Sequence, residues 1–257
     1  MNKKTFTEAA DALKALPPRK FKQTFEFVMN FRDLDLKKPE HQVEQWVQLP
    51  HDKGTPAKIG ALVGPELAEQ AKATCDTVIV HDNFPKYAGD KKAVKKLAAT
   101  HTYFIAQANL MADVAKTFGR YFGPRGKMPN PKAGCVVPPN ANLKVLVEKL
   151  RKTVKASGKI QPSIKVVVGV QDTPSDKVAD NMLAVYSAVV PKLPGEAANI
   201  RSVMLKLSMS PPVRILQDSI VKPVVKAEAP ALEGEAKQPK KTARKKKADA
   251  PAAGGAQ

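Results

Sequence analysis

The sequence predicts an α/β protein of two domains, in which a discontinuous α+β domain is interrupted by an inserted Rossmann-like α/β domain and followed by a disordered basic C-terminal tail. Three observations carry this expectation. Short apolar runs alternate with helical patterns only between residues 57 and 156. Strands and helices of a different, α+β texture flank that stretch on both sides. From residue 221 the chain is mostly Ala, Pro, Lys and Glu.

The opening residues place Phe6, Ala9, Ala10, Leu13 and Leu16 at helical spacing, with Glu8 and Asp11 between them. That is an amphipathic helix rather than a signal peptide, which needs an unbroken apolar core. Pro17 and Pro18 end it. Phe21, Phe25, Phe27, Met29 and Phe31 then fall on odd positions, a period-two pattern that reads as a half-buried strand. A polar connection from Asp33 to His41 leads to a second alternation, Val43, Val47 and Leu49, ending at Pro50. These two strands are expected to pair as an antiparallel unit around a long basic loop.

In the middle stretch the runs Ile59–Val63, Thr77–Val80 and Tyr103–Ala106 are each followed by a helical pattern, near Glu66–Thr74, Asp90–Ala99 and Asn109–Phe118. Strands alternating with helices imply parallel pairing and a sheet covered on both faces. A last helix is expected from Asn142 to Lys155. Beyond Gly158 come a strand at Ile164–Val170, a helix at Ser175–Val190 and a strand at Ser202–Met209. The expected domains are therefore residues 1–56 with 157–220, an insert at 57–156, and a tail at 221–257. The two crossings between the domains form a hinge. The tail has too few large apolar groups to offset its chain entropy by burial.

The 257 residues carry 43 Lys and Arg against 24 Asp and Glu, a net +19. Residues 226–257 hold eight basic and four acidic side chains, so +15 belongs to the rest of the chain. Such an excess points to a polyanionic partner, with nucleic acid leading. No long apolar run or basic amphipathic helix flanked by Trp and Phe argues for a membrane. Cys75 and Cys135 stand far apart without metal-spaced neighbours, so neither a disulfide framework nor a metal site is expected.

The most unusual segment is Gly119–Gly134, where glycines and prolines surround Arg120, Arg125, Lys127 and Lys132. That composition predicts neither helix nor strand. It is not a phosphate loop, because Tyr121 stands where that motif needs glycine and Met128 where it needs Ser or Thr. It reads instead as a rigid cationic loop facing a phosphate backbone or the other domain, or else as a long connection stiffened by proline. The four histidines are scattered and no nucleophile motif occurs, so no catalytic residue is assigned. His81-Asp82, at a strand's C-terminal end, is the best enzymatic candidate, and a strand-end turn is the better reading.

The run Gly123, Pro124, Arg125, Gly126, Lys127, Met128, Pro129, Asn130, Pro131, Lys132, Ala133, Gly134 resembles the signature segment of the L-one family of ribosomal proteins, that of the large subunit's side stalk. The resemblance extends to Ile215 and includes Leu49-Pro50-His51, Ala179-Asp180-Asn181 and Ser208-Met209-Ser210-Pro211. The short connection from Lys155 to Ile164 is similar to archaeal members. The family implies two domains with the termini together in the first, which is the main RNA grip. By resemblance that grip involves Asn30, Phe31, Lys37, Lys38 and Glu40 together with Ser208, Met209, Ser210 and Pro211. Phe31 reads equally as a core residue of the odd strand face. Many members carry glycine where this chain has Ser210.

The resemblance further implies a monomer within the cytoplasmic large ribosomal subunit that binds stalk ribosomal RNA and assists release of deacylated transfer RNA from the exit site. It also implies repression of translation through the protein's own messenger RNA. Neither cofactor nor metal is expected. Two competing readings are an RNA-modifying enzyme with a Rossmann-like domain and a general nucleic-acid packaging protein.

Overall fold

The computed structural model describes residues 2–17, 19–38, 41–216 and 219–221. The expected disordered tail lies outside the described residues except for Val221, which ends the last strand. In chain order the elements are α1 (Lys3–Lys14), β1 (Thr24–Phe31), β2 (Glu44–Gln48), β3 (Ile59–Val63), α2 (Pro65–Thr74), β4 (Thr77–Val80), α3 (Phe84–Gly89), α4 (Lys91–Thr100), β5 (Tyr103–Gln107) and α5 (Met111–Phe122). There follow β6 (Val136–Val137), α6 (Leu143–Lys152), β7 (Thr153–Ser157), β8 (Ser163–Val170), α7 (Ser175–Val189), β9 (Ile200–Leu207), β10 (Val213–Ile215) and β11 (Ile220–Val221). The mixed α/β fold, with an α/β insert inside an α+β lobe, is the expected one.

The outer lobe is built on an antiparallel five-stranded sheet of order β11-β10-β9-β1-β8. One face of it is apolar. Phe25, Phe27 and Met29 of β1, Ile164, Val166 and Val168 of β8, and Val203, Leu205 and Leu207 of β9 all point to it. They bury against Phe6, Ala9 and Leu13 of α1 and against Val178, Met182, Val185 and Val189 of α7. Phe6 meets Phe27 edge-on at 6.0 Å between ring centres. The two-stranded β2-β7 ribbon lends Val47, Val154 and Ala156 to the same core.

The insert holds a four-stranded parallel sheet of order β4-β3-β5-β6. Alternate residues go to opposite faces, as a strand requires. Ile59, Ala61, Val63 and Ile105 pack under α2 and α6, while Leu62, Phe104 and Ala106 pack under α4 and α5. Phe104 stacks on Phe122 at 4.3 Å. A side chain at Gly60 would put its Cβ 2.7 Å from the Phe104 ring, so only glycine lets the ring lie there. Asp90 caps α4 by accepting from the amides of Lys92 and Ala93.

Several expectations are corrected. β1 and β2 do not pair: β1 lies between β8 and β9, and β2 pairs with β7. Alternation shows that a strand has two faces but not which strand it joins. Phe21 is 51% exposed and precedes β1 rather than extending it. The helix expected to run to Lys155 stops at Lys152, and the chain turns directly into β7, because Thr153 and Val154 are β-branched and pair with Gln48 and Val47. α5 continues through Gly119 to Phe122, so helix does survive the start of the Gly119–Gly134 segment, where Phe118 and Phe122 anchor its last turn in the core. β9 ends at Leu207, not Met209, and α3, β6, β10 and β11 are additions.

Candidate nucleic-acid interface

The second face of the five-stranded sheet carries no helix: the two helices of this lobe, α1 and α7, pack on the apolar face. Its side chains are the even-numbered ones of β1 and their cross-strand partners. Glu26 lies between Lys206 and Val167, Val28 between Met204 and Lys165, and Asn30 between Ser202 and Ser163. Arg214 of β10 lies beside Met204. The Lys206 ammonium pairs with the Glu26 carboxylate at 2.8 Å, and the Asn30 amide donates to the Ser202 hydroxyl at 3.0 Å. A shallow groove of about 520 Å³ runs over Asn30, Phe31, Pro162, Ser163, Arg201, Ser202, Met204 and Arg214.

This surface is a flat strip of hydroxyls, an amide, cations and a few apolar groups. Hydroxyls and amides suit sugar hydroxyls and base edges, cations suit phosphates, and Met204 offers contact to a base plane or a ribose. Its long cations are free to turn to a ligand at little cost, since Lys165 and Arg214 are exposed and have no ion-pair partner among the described residues.

The expected grip residues sit at the two ends of this strip. Asn30 is on it. Phe31 is 4% exposed, with its ring in the core and one edge on the groove, so its structural role is the larger. Asp33, just past β1, takes a left-handed backbone (φ 56°) and turns the chain into the exposed loop. There Asp35 accepts from the amides of Lys37 and Lys38, leaving both ammonium groups in solvent. Glu40 lies outside the described residues.

Ser208, Met209, Ser210 and Pro211 occupy the opposite end, beside Thr24, since Phe25 pairs with Leu207 while Asn30 pairs with Ser202. Six residues of β1 separate the two groups, about 20 Å. The Ser208 hydroxyl contacts that of Thr24 at 2.9 Å, the Met209 amide donates to the Gln23 side chain, and the Met209 side chain is 65% exposed. Ser210 has no left-handed backbone, and its hydroxyl accepts from the Leu207 amide at 2.9 Å, closing the turn. Serine thus does at this position a job that glycine cannot.

Glu26, Val28, Lys165, Met204, Lys206 and Arg214 were not among the expected site residues. The signal for part of this set is present in the sequence, because even positions of β1 must face away from the core that the odd positions build. Which residues of β8, β9 and β10 lie beside them depends on register, which no local pattern states.

The Gly119–Gly134 segment is folded on its own backbone. Gly126, in the left-handed region at φ 61°, lets the Lys127 amide return to the Phe122 carbonyl at 2.9 Å. The Lys127 ammonium donates to the carbonyls of His101 and Thr102, at 2.9 and 3.2 Å, and burial pulls its pKa down. Arg125 donates to the Lys95 carbonyl at 2.9 Å from an exposed position. The Asn130 side chain caps the short turn at Pro131–Ala133 through the Lys132 amide, and Pro129 is buried. Gly123, Pro124, Pro131 and Lys132 remain at the surface. The segment is closed by its own hydrogen bonds, and Lys127 turns its charge to the His101 and Thr102 carbonyls behind it rather than outward.

His81 bonds to Asp113 at 3.3 Å and not to Asp82, both partners half exposed, as a surface pair at the first turn of α5. Among the described residues no group of three or more His, Cys, Asp or Glu could hold a metal, and no helix is long and apolar enough to cross a membrane.

Residues 13–211 match the model of the Ribosomal protein L1p/L10e family. The chain belongs to this family. Among its relatives, the large ribosomal subunit protein uL1 of Nanoarchaeum equitans is 40% identical over 202 residues, covering 77% of this chain and 93% of that protein. That of Methanocaldococcus jannaschii is 36% identical over 212 residues, covering 82% and 94%. That of Methanothermococcus thermolithotrophicus is 37% identical over 216 residues, covering 84% and 99%.

Two of the segments that carried the family resemblance meet in space. The His51 amide donates to the Asn181 side-chain oxygen at 3.0 Å, and the His51 ring lies 3.4 Å from Asp180. Asn181 is fully buried and donates in turn to the Val168 carbonyl. Leu49-Pro50-His51 and Ala179-Asp180-Asn181 therefore clamp the end of the β2 ribbon to α7 and β8. In this family member they hold the lobe together, away from the open strip.

Proposed function

We propose that the protein is a non-catalytic structural constituent of the large ribosomal subunit, where it grips folded ribosomal RNA of the mobile side stalk. The observation that carries this reading is the open, cationic face of the five-stranded sheet. The two ends of that face are marked by Asn30 with the Lys37-Lys38 loop and by Ser208–Pro211. A helix or junction of RNA laid along the strip would touch both ends at once, and the matched proteins are named for the large ribosomal subunit. The domain boundaries we propose are 1–56 with 157–220 and 57–156, with β7 as the returning crossing.

Hinge motion at the two crossings, with the insert and its Gly-Pro-Arg-Gly loop near the outgoing transfer RNA, would assist release of deacylated transfer RNA. Binding of a similar fold in its own messenger would make the free monomer a translational repressor. The test is competition at moderate ionic strength between a folded stalk RNA and a random duplex of equal length. Preference for the folded RNA by tenfold or more supports recognition of shape, as expected for RNA read through its backbone and 2′-hydroxyls. Equal affinity would leave only a packaging protein.

A further inference from the structure

Lys53 lies on the first crossing between the lobes and is 7% exposed. Its stem is buried while its ammonium keeps some access to solvent, and a largely desolvated ammonium is normally paired. Among the described residues no carboxylate and no hydrogen-bond acceptor pairs with it. Its one close partner is the ring of Tyr103, 5.7 Å from the ring centre, near the outer limit of a cation–π contact. Asp52 acts on it only through space, and burial lowers its pKa despite that pull.

Lys53 lines a cavity of about 330 Å³ between the lobes, together with Thr55, Thr102, Tyr103, Lys155 and Lys165. No carboxylate lines it. Lys155 reaches it partly neutralised, because Glu44 holds Lys155 at 2.7 Å and Lys159 at 2.6 Å. Neither Lys53 nor Lys165 has a carboxylate partner among the described residues. The walls come from both lobes: Thr102 and Tyr103 belong to the insert, Lys165 to β8 of the outer lobe, and Lys155 to β7, the returning crossing.

We infer that this cavity is an anion site that takes a phosphate group, either free inorganic phosphate or a phosphate of an RNA backbone. Three ammonium groups and two threonines converge on a space wide enough for the group, and no carboxylate lines it to supply their counter-charge. Because both lobes contribute walls, a phosphate held there also ties the insert to the outer lobe. The cavity shares Lys165 with the open sheet face and otherwise uses a different surface.

Calorimetric titration of the full chain at fixed ionic strength tests it, one arm with inorganic phosphate and one with a short unstructured RNA oligonucleotide. Saturable binding in either arm that falls at least tenfold in Lys53→Met supports the site, and the arm that shows it names the source of the phosphate. A second readout is the melting temperature: if free phosphate is the ligand, replacing chloride by phosphate raises that of the wild type by about 2 °C or more beyond the rise in Lys53→Met, which carries the general salt effect. Binding in neither arm, or binding that Lys53→Met leaves unchanged while the variant melts as the wild type does, overturns the inference. Arg214→Ala should weaken binding of folded RNA without changing the phosphate arm, so failure of this site and failure of the sheet-face grip read out separately.

Discussion

The two large sheets of this protein are close in strand number and opposite in design. The parallel sheet of the insert is covered on both faces, by α2 and α6 on one side and by α4 and α5 on the other, and its central strand β3 is buried throughout. The five-stranded sheet of the outer lobe is covered on one face alone and presents the other as a strip of Asn30, Glu26, Ser202, Lys206, Lys165 and Arg214. A sheet closed on both sides can only carry its loops to a partner. A sheet open on one side can itself be the contact surface, because its side chains stand in an array fixed by the strand pairing.

That contrast is open to attack from either sheet. The largest expected effect is in the closed one: Phe104→Ala removes a ring stacked on Phe122 and packed near Gly60, and should cost about 3–5 kcal/mol in urea denaturation. Met204→Ala on the open face should cost less than about 1 kcal/mol. Similar losses at the two positions would erase the distinction. On the open face, Lys165→Ala with Arg214→Ala should leave the urea midpoint almost unmoved. Affinity for folded RNA should drop roughly 10- to 100-fold, and the slope of log affinity against log salt should flatten by about 1.5–2. An unchanged slope takes both residues out of contact with phosphate.

A smaller effect sharpens the boundary between the lobes. Lys155 and Lys159 hold the Glu44 carboxyl down at a pKa of about 2, against 4.5 for the free group. A carboxylate depressed on folding stabilises the native state above its unfolded pKa. That contribution is lost as pH falls from about 4.5 toward 2. Partial exposure screens the pair, so about 1–2 kcal/mol of acid-labile stability is expected, and Glu44→Gln should remove that part of the pH dependence. Smallest is the contrast inside the signature loop. Lys127→Ala should cost about 1 kcal/mol, because its ammonium satisfies two carbonyls, whereas Arg125→Ala should stay within about 0.5 kcal/mol. A larger loss at Arg125 would mean that the exposed arm, not the buried one, holds the loop.

Much of this architecture is legible residue by residue. Phe25, Phe27, Met29 and Phe31 announce a strand with one buried face, and Asp90 and Asn142 mark helix starts where they occur. The candidate site is less legible, for two different reasons. The Gly119–Gly134 segment advertises cations, yet whether a lysine points outward depends on which carbonyls lie behind it, and His101 and Thr102 are more than twenty residues away. The open strip carries no unusual composition at all. Glu26 and Val28 look like ordinary strand residues until Lys206, Met204 and Lys165 are set beside them.

The amino-acid order alone determined the periodicities, and with them the helices, the strands and the side of each strand that must be dry, since these follow from geometry within a few neighbouring residues. It also determined the surplus of positive charge. Only the folded chain decided that β1 lies between two strands that come more than 130 residues later, that β2 leaves it for β7, and that one sheet face stays bare. Pairing and register are choices among many near-equal alternatives for a single strand, and they are resolved by the burial of the whole lobe at once.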